Sequence, residues 1–353
     1  MSTTTQQPQR RLLTSLADTI RSFVSGSRLL RLNAAAMPTA AALLIFVVLV
    51  TFGQVQYGGI VELGTISSLF INNAYLIILA VGMTFVILTG GIDLSVGSVV
   101  ALSSVAGVML ANAGVNPWIA VLVMIAIGTV MGLLAGVLVD RFDVQPFIAT
   151  LATMFLARGL ASMLSTTPER LEADSAILGI ATRLTIYDGP GVNDLVVPPS
   201  VIIAILTVVV AYVVLHRTRT GRTAYALGAS EQSARLMGLP VARTRVLVYV
   251  ISGSLAGLAA VTYTARLGSA QNVTGIGWEL NAIAAVVIGG TLLTGGAGYV
   301  LGSLIGALVI ALMNLLIIRD GSIPPESTTI ITGGMLLVFV LLQRLVIARR
   351  RKG

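Results

Sequence analysis

The sequence predicts an all-α, polytopic membrane protein of about ten transmembrane helices, with broken-helix elements and both termini in the cytoplasm. Of the 353 residues, 56% are hydrophobic and only 10% are charged, whereas soluble domains average about 25% charged residues. Apolar stretches of about 20 residues, each long enough to cross a bilayer, recur along the chain. The basic residues cluster in a few separate segments, as in the cytoplasmic loops of membrane proteins.

The hydropathy pattern divides the chain into ten predicted spans. They are 36–53, 66–88, 93–113, 117–139, 144–165, 197–215, 246–266, 280–293, 299–318 and 327–346. Together they form a transmembrane domain at 36–346, which follows a basic N-terminal arm at 1–35 and precedes a basic tail at 347–353. The arm has apolar residues at helical spacing, which indicates an amphipathic helix on the membrane surface; a signal peptide is the alternative.

The charge distribution sets the predicted orientation. Most of the arginines fall in the N-terminal arm, at 216–245 and in the C-terminal tail, so we expect these segments to be cytoplasmic. The long loop 166–196 carries five acidic residues and is predicted to lie outside. The net charge of +8 therefore reflects topology and contact with anionic lipids, and we expect no nucleic acid partner.

Several kinds of chemistry are missing from the sequence. There is no cysteine and only one histidine, His216, so a cysteine-based or histidine-rich metal site is excluded. No nucleophile–base pair and no phosphate-binding loop can be recognised. We therefore expect no catalytic residue, no metal and no cofactor bound by this chain, which is predicted not to be an enzyme.

A glycine-rich motif interrupts the apolar pattern twice. It reads "TGGIDLSVGS" at 89–98 and "TGGAGYVLGS" at 294–303. Transporters often contain internal repeats, with binding sites beside interrupted helices. The broken-helix residues of the two copies are Thr89, Gly90, Gly91, Asp93, Ser95, Gly97, Thr294, Gly295 and Gly296. Elsewhere, glycines four residues apart predict close helix packing, as at Gly128, Gly132 and Gly136.

Asp93 is an acid in an otherwise apolar region, where a charge costs about 2.5–3.5 kcal/mol on insertion scales. Asp93 could cap the helix that follows it, because Asp is a favoured N-cap residue. It could also lie on a substrate path, or it could carry protons. The first two roles are compatible, because broken helices belong beside cavities.

The basic segment 216–245 contains a second candidate, "ASEQSARLMGLP". Ser230 is a plausible N-cap, Glu231 lies in the first turn, and the helix is expected to end at Gly238 before Pro240. A solvated loop is the alternative. Because Leu236 and Met237 would project from this short helix, the pattern suggests a docking site for a cytoplasmic partner.

Three segments together carry a resemblance to a known family. They are "TGGIDLSVGS", "ALGASEQSARLMGLPVARTRVLVYVISGSLAGLAA" at 226–260 and "GIGWELNAIAAVVIGGTLLTGG" at 275–296. In order and spacing they resemble the membrane permease of bacterial monosaccharide ABC importers, the ribose, xylose, arabinose and galactofuranose systems. The resemblance covers about positions 66–346, and within the family the chain is most similar to a galactofuranose importer permease subunit.

The resemblance implies a bacterial inner-membrane location and a set of partners. These are a second permease subunit, identical or different, a cytoplasmic ATPase that binds ATP and magnesium, and a periplasmic sugar-binding protein. It also implies that the short helix couples the permease to the ATPase, through Ser230, Glu231, Ala234, Arg235, Met237 and Gly238.

Polar or aromatic residues within the apolar spans are the candidates for a sugar path. They are Asn73, Tyr75, Asp93, Phe147, Thr150 and Asn281. For each of them, an interhelical hydrogen bond or simple packing is the alternative. The alternative for the whole chain is a stand-alone secondary transporter coupled to protons or sodium.

Overall fold

The computed structural model describes residues 37–187, 189, 194–322, 324 and 327–350. Its helices are α1 Met37–Tyr57, α2 Leu63–Leu88, α3 Val96–Asn112, α4 Pro117–Arg141, α5 Pro146–Leu164, α6 Pro199–Arg217, α7 Arg219–Ala229, α8 Glu231–Leu236, α9 Val241–Leu267, α10 Trp278–Ile288, α11 Val300–Asp320 and α12 Ser327–Arg350. The predicted N-terminal arm at 1–35 lies outside the described residues. The predicted tail begins within α12, and its last three residues also lie outside them.

Each of the ten predicted spans coincides with one of these helices. Within the described part of the chain, seven helices, namely α1, α2, α4, α5, α6, α9 and α11, are long and apolar enough to cross a membrane. The spans predicted at 93–113, 280–293 and 327–346 correspond to α3, α10 and the first part of α12, which are apolar but shorter. Ten crossings and cytoplasmic termini therefore stay predictions.

Helix α2 forms the centre of the bundle, and its second half from Leu76 to Leu88 is buried throughout. Helix α9 packs against it and against α4. At the α4–α9 contact, a Cβ on Gly128 or Gly132 would overlap the backbone of α9 near Gly253 and Tyr249. The predicted close packing along this glycine row is therefore confirmed, because only glycine lets the two backbones come this near.

The connection 216–245 contains more helix than the sequence predicts. Helix α6 runs on to Arg217, α7 occupies Arg219–Ala229, and α9 begins at Val241 instead of residue 246. We call the end of the bundle where this segment lies the connection end. The loop 166–196 lies at the opposite end and contains short strands and a 3₁₀ turn. Its strand β1 (Glu169–Arg170) pairs antiparallel with Ser269–Ala270, just after α9.

Two further strands also lie in that loop. They are β2 (Thr185–Tyr187) and β3 (Leu195–Val196), which pair antiparallel, and the Ser269–Ala270 strand is β4. The 3₁₀ turn covers Ala176–Ala181 and buries Ile177 and Ile180. This part of the loop is therefore a folded layer over the helix ends.

Candidate functional site

The first glycine-rich motif separates α2 from α3. After Leu88 the chain turns at Thr89–Gly90 and continues without helix to Ser95. Asp93 is fully buried in this break. Its Oδ1 accepts hydrogen bonds from the Ser95 backbone N–H (2.9 Å) and from Ser95 Oγ (2.6 Å), and its Oδ2 accepts one from Ser252 Oγ (2.7 Å). The carboxylate thus joins the break to the middle of α9.

The capping role predicted for Asp93 needs a correction. The N-cap of α3 is Ser95, two residues later. Asp93 instead accepts hydrogen bonds from the backbone N–H and the hydroxyl of that N-cap residue, so it stabilises the turn before the helix. Ser252 is eleven residues into α9, about 16 Å along its axis from the connection end. The acid therefore lies deep inside the bundle, where every one of these hydrogen bonds is shielded from water.

Thr150 of α5 also contacts the break. Its hydroxyl donates to Pro146 O (2.8 Å) within its own helix and lies 3.2 Å from Ile92 O. Phe147, one turn earlier, is 52% exposed on the surface of the bundle. The structure therefore brings Thr150 next to Asp93's segment but does not bring Phe147 there, and Phe147 faces outward in the single chain.

The other three candidate path residues lie elsewhere. Asn73 donates its side-chain amide to Leu69 O, four residues earlier in its own helix (2.9 Å). Tyr75 belongs to an aromatic cluster, with ring centroids 4.2 Å from Trp278 and 5.2 Å from Tyr263. Asn281 is partly buried in the first turn of α10. The six candidates thus occupy several places and do not form one site.

The second motif contacts the first. The backbone N–H of Gly296 donates to Leu88 O, at 2.9 Å, and a Cβ on Gly295 would lie 2.7 Å from Gly90 N. Gly295 and Gly296 have φ of 81° and 78°, a conformation that L side chains rarely adopt. The two copies of the motif, which the sequence suggests as an internal repeat, are therefore also in physical contact: two chain breaks meet at the end of α2.

Helix α7 closes this contact from the connection end. A Cβ on Gly228 would overlap both Leu88 O and the backbone N of Gly296. We call Gly90, Gly228, Gly295 and Gly296 the glycine junction. Nearby, Tyr225 Oη donates to Gly298 O (2.7 Å), and burial raises the pKa of Tyr225 to about 12. The junction therefore connects both breaks to α7, which leads directly into α8.

Helix α8 has the features predicted for the short helix. Ser230 Oγ accepts from the backbone N–H of Ser233 at 3.2 Å, as an N-cap does. At the far end of the helix, the Gly238 N–H donates to Arg235 O at 3.0 Å. Ala234 is buried against the bundle, whereas Leu236 is 83% and Met237 64% exposed. The helix thus presents two apolar side chains to its surroundings from a fixed base.

An ion-pair network holds α8 in place. Glu231 pairs with Arg235 (2.7 Å) in its own helix and with Arg245 (2.5 Å) in the first turns of α9. Arg245 also approaches Asp140 of α4, at 3.5 Å. The guanidinium groups of Arg235 and then Arg245 lower the pKa of Glu231 below its ordinary value of 4.5, so the pairs persist at neutral pH.

Sequence reasoning missed Ser252, Arg245 and Trp278. A serine in a glycine- and alanine-rich helix gives no signal by itself, and its partner Asp93 is 159 residues away. Trp278 is within a segment quoted for the resemblance, and its position two residues before a predicted span was the available signal. Within the described part of the chain, no three His, Cys, Asp or Glu side chains come together as a metal site would require.

Comparisons with known proteins identify the family. A family model described as "Branched-chain amino acid transport system / permease component" matches residues 65–340. The fructose import permease protein FruG of Bifidobacterium longum is 52% identical, over 90% of this chain and 94% of FruG. The ribose import permease protein RbsC of Escherichia coli K12 is 41% identical, over 67% of this chain and 72% of RbsC.

A third relative agrees with these two. The inner membrane ABC transporter permease protein YjfF of Escherichia coli K12 is 37% identical, over 87% of this chain and 92% of YjfF. The match to the family model covers well over half of the chain, and the relatives align over most of their own lengths. The chain therefore belongs to this family of membrane-embedded transport-system permease components.

Proposed function

We propose that the chain is the permease subunit of a monosaccharide ABC importer in a bacterial inner membrane. It pairs with a second permease subunit, receives sugar from a periplasmic binding protein, and is driven by a cytoplasmic ATPase that binds ATP and magnesium. The observation that carries the proposal is α8, a short helix held on a rigid base that exposes Leu236 and Met237. An isolated transporter has no use for such an exposed pair, whereas an ATPase groove would bury it.

The same helix connects to the interior. The end of α7 touches Leu88 and Gly296 at the glycine junction, and α8 follows after Ser230. Because no Cβ separates these backbones, a displacement of α8 cannot be absorbed by side-chain rearrangement at that contact. Movement imposed by the ATPase would therefore reach both chain breaks at once, and through Asp93–Ser252 it would reach α9.

The sugar is a finer proposal. The sequence motifs favoured galactofuranose, whereas two relatives of this chain are named for fructose and ribose. The 52% identity to FruG over nearly its whole length makes fructose our first candidate. Fructose, ribose and galactofuranose share a compact ring with several hydroxyl groups, so one uptake assay can compare them directly.

Ion-coupled transport by the chain alone is the less favoured function. Its main candidate carrier, Asp93, accepts three hydrogen bonds from Ser95 and Ser252 inside the bundle. These hydrogen bonds fix the position of the side chain inside the bundle, which suits a structural role better than that of a group that exchanges protons with two compartments.

The test is uptake by proteoliposomes. We expect the permease reconstituted with its ATPase and binding protein to accumulate labelled fructose when ATP is supplied, and the permease alone to accumulate none under a proton or sodium gradient. A branched-chain amino acid serves as the competing substrate, because the family model carries that description. Accumulation by the chain alone, or accumulation of the amino acid with no sugar uptake, would contradict the proposal.

A further inference from the structure

A pocket at the end of the bundle opposite α8 has the composition of a sugar site. It has a volume of about 290 Å³ and lies between the end of α9 and the start of α10. Its lining includes two aromatic residues, Tyr263 and Trp278, and three polar ones, Ser269, Gln271 and Thr274. Ligand pockets start at about 300 Å³, so this one has room for a single small molecule.

The aromatic wall of the pocket is held rigidly. Trp278 and Tyr263 meet edge to face with centroids 4.6 Å apart, and Tyr75 packs behind Trp278 at 4.2 Å. An indole and a phenol ring fixed in this way offer an apolar surface with little entropy left to lose on binding. The C–H face of a monosaccharide ring is the natural partner for such a surface.

The polar side of the pocket is a loop that is fixed by α5. Arg158 donates to the carbonyl groups of Asn272 and Thr274, the latter at 2.7 Å. The Asn272 side-chain amide donates to Ser162 Oγ at 3.1 Å. Gly275 then packs directly on Gly97 at the start of α3. The loop that carries Gln271 and Thr274 therefore has its shape before any ligand arrives.

The chemistry of the lining argues against two ligand classes. Among the residues that the structure describes, neither an acidic nor a basic side chain lines the pocket, so the ammonium and carboxylate groups of an amino acid would both be left unpaired. A purely apolar ligand would leave Gln271 and the two hydroxyl groups without partners. An uncharged ring compound with several hydroxyl groups can stack on the aromatic residues and form hydrogen bonds with the polar ones.

We infer that this pocket is the entry site at which the permease receives a monosaccharide, with the ring stacked on Trp278 and Tyr263 and its hydroxyl groups bonded by Gln271, Ser269 and Thr274. The inference rests on the proposed function, because it names a receiving site for the same sugar. Of the path residues expected from the sequence, only Tyr75 contributes to this pocket, and it does so from behind Trp278.

The chain offers a direct optical test, since it has only two tryptophans, Trp118 and Trp278. Trp118 is 58% exposed at the start of α4 and does not line the pocket. In the full transporter with Trp118→Phe, Trp278 is the only tryptophan of this subunit. Its fluorescence is measured in nanodiscs with tryptophan-free partner chains. We expect a saturable change in its emission on titration with fructose and none with glycerol at equal osmolarity.

Variants of the pocket provide the second measurement. Gln271→Ala should raise the dissociation constant for fructose in the fluorescence titration about fivefold, which is the equivalent of one hydrogen bond, and lower uptake to a similar extent. Trp278→Phe, made with Trp118 retained, keeps a ring for packing against Tyr75 and should remove the emission change, which assigns that change to Trp278. Trp118→Phe alone should transport as the parent does.

The outcomes separate the two proposals. If the complete transporter takes up sugar but Trp278 shows no saturable response, or Gln271→Ala titrates like the parent, the entry site is overturned and the proposed function stands. If the complete transporter takes up no monosaccharide at all, the proposed function fails, and the entry site fails with it.

Discussion

The hydrogen bonds of Asp93 allow a prediction whose size can be worked out from the structure. The buried carboxylate accepts from the Ser95 N–H, the Ser95 hydroxyl and the Ser252 hydroxyl at 2.6–2.9 Å. In Asp93→Asn, the amide oxygen can still accept from Ser95, and the amide nitrogen can donate to a rotated Ser252 hydroxyl. We therefore expect Asn to cost no more than about 1.5 kcal/mol of stability.

Asp93→Ala is expected to cost much more. It leaves three donors in the interior without their partner, namely the backbone N–H and the hydroxyl of Ser95 and the hydroxyl of Ser252. At about 1–3 kcal/mol each, the cost is about 3–9 kcal/mol in all. Ser252→Ala removes one hydrogen bond to the buried Asp93 side chain, worth about 0.5–1.5 kcal/mol. The double variant should lose less than the two single losses added together, because both act on one contact.

The assay is thermal unfolding of the purified permease in nanodiscs, followed by uptake in the assembled transporter. Ser103→Ala is the matched control: Ser103 is equally buried on α3, and its hydroxyl has no hydrogen-bond partner among the described residues. Equal damage by Asn and Ala would refute the reasoning, because it would mean that the charge itself is required. Full tolerance of Ala would refute it as well.

Three further predictions concern α8 and the glycine junction. Gly228→Ala should lower the free energy of unfolding by about 1–3 kcal/mol and reduce transport, because its Cβ would overlap the backbone at Leu88. The control is Gly159→Ala, which has open space around it and should fold and transport normally. Thermal unfolding and uptake compare the two variants. Because the chain has no cysteine, Met237→Cys gives the permease a single thiol. We expect bound ATPase to protect this thiol from maleimide labelling. Labelling at the rate of the permease without ATPase would contradict docking at α8. The ion pairs of Glu231 depress its pKa, so their contribution to stability is present above pH 4.5 and is lost as the pH falls through the lower folded value. Thermal unfolding as a function of pH should show this loss in the parent and not in Glu231→Gln, and the same pH profile in both would exclude the network as its source.

Hydropathy was sufficient to locate the long apolar helices, because apolar runs of about 20 residues stand out from the rest of the sequence. Hydropathy did not locate helix α7. Four of the first five residues of its sequence "RTGRTAYALGA" are polar, and of the residues that it buries, Gly221, Thr223, Ala224 and Leu227, only Leu227 is strongly hydrophobic. The short helix α8 was predicted because its N-cap, Ser230, and its terminating glycine, Gly238, can be recognised in the local sequence.

The candidate site was less accessible to the sequence. The repeat of the TGG motif was visible, but its consequence, a backbone contact between Leu88 and Gly296, joins segments more than two hundred residues apart. Asp93 was singled out for its charge, whereas Ser252, which completes its hydrogen bonds, looks like any other small residue of a packed helix. Long-range pairing of this kind follows from the fold and not from local pattern.

The central claim is that a partner ATPase drives sugar through this chain by acting on α8. Its most direct test is ATP-driven fructose uptake by the assembled transporter carrying Leu236→Glu, a change at a side chain that is 83% exposed and therefore compatible with folding. We expect the variant permease to unfold at the parent temperature but to take up no sugar with ATP. Uptake at the parent rate, or uptake that persists without ATP under an ion gradient, would contradict it.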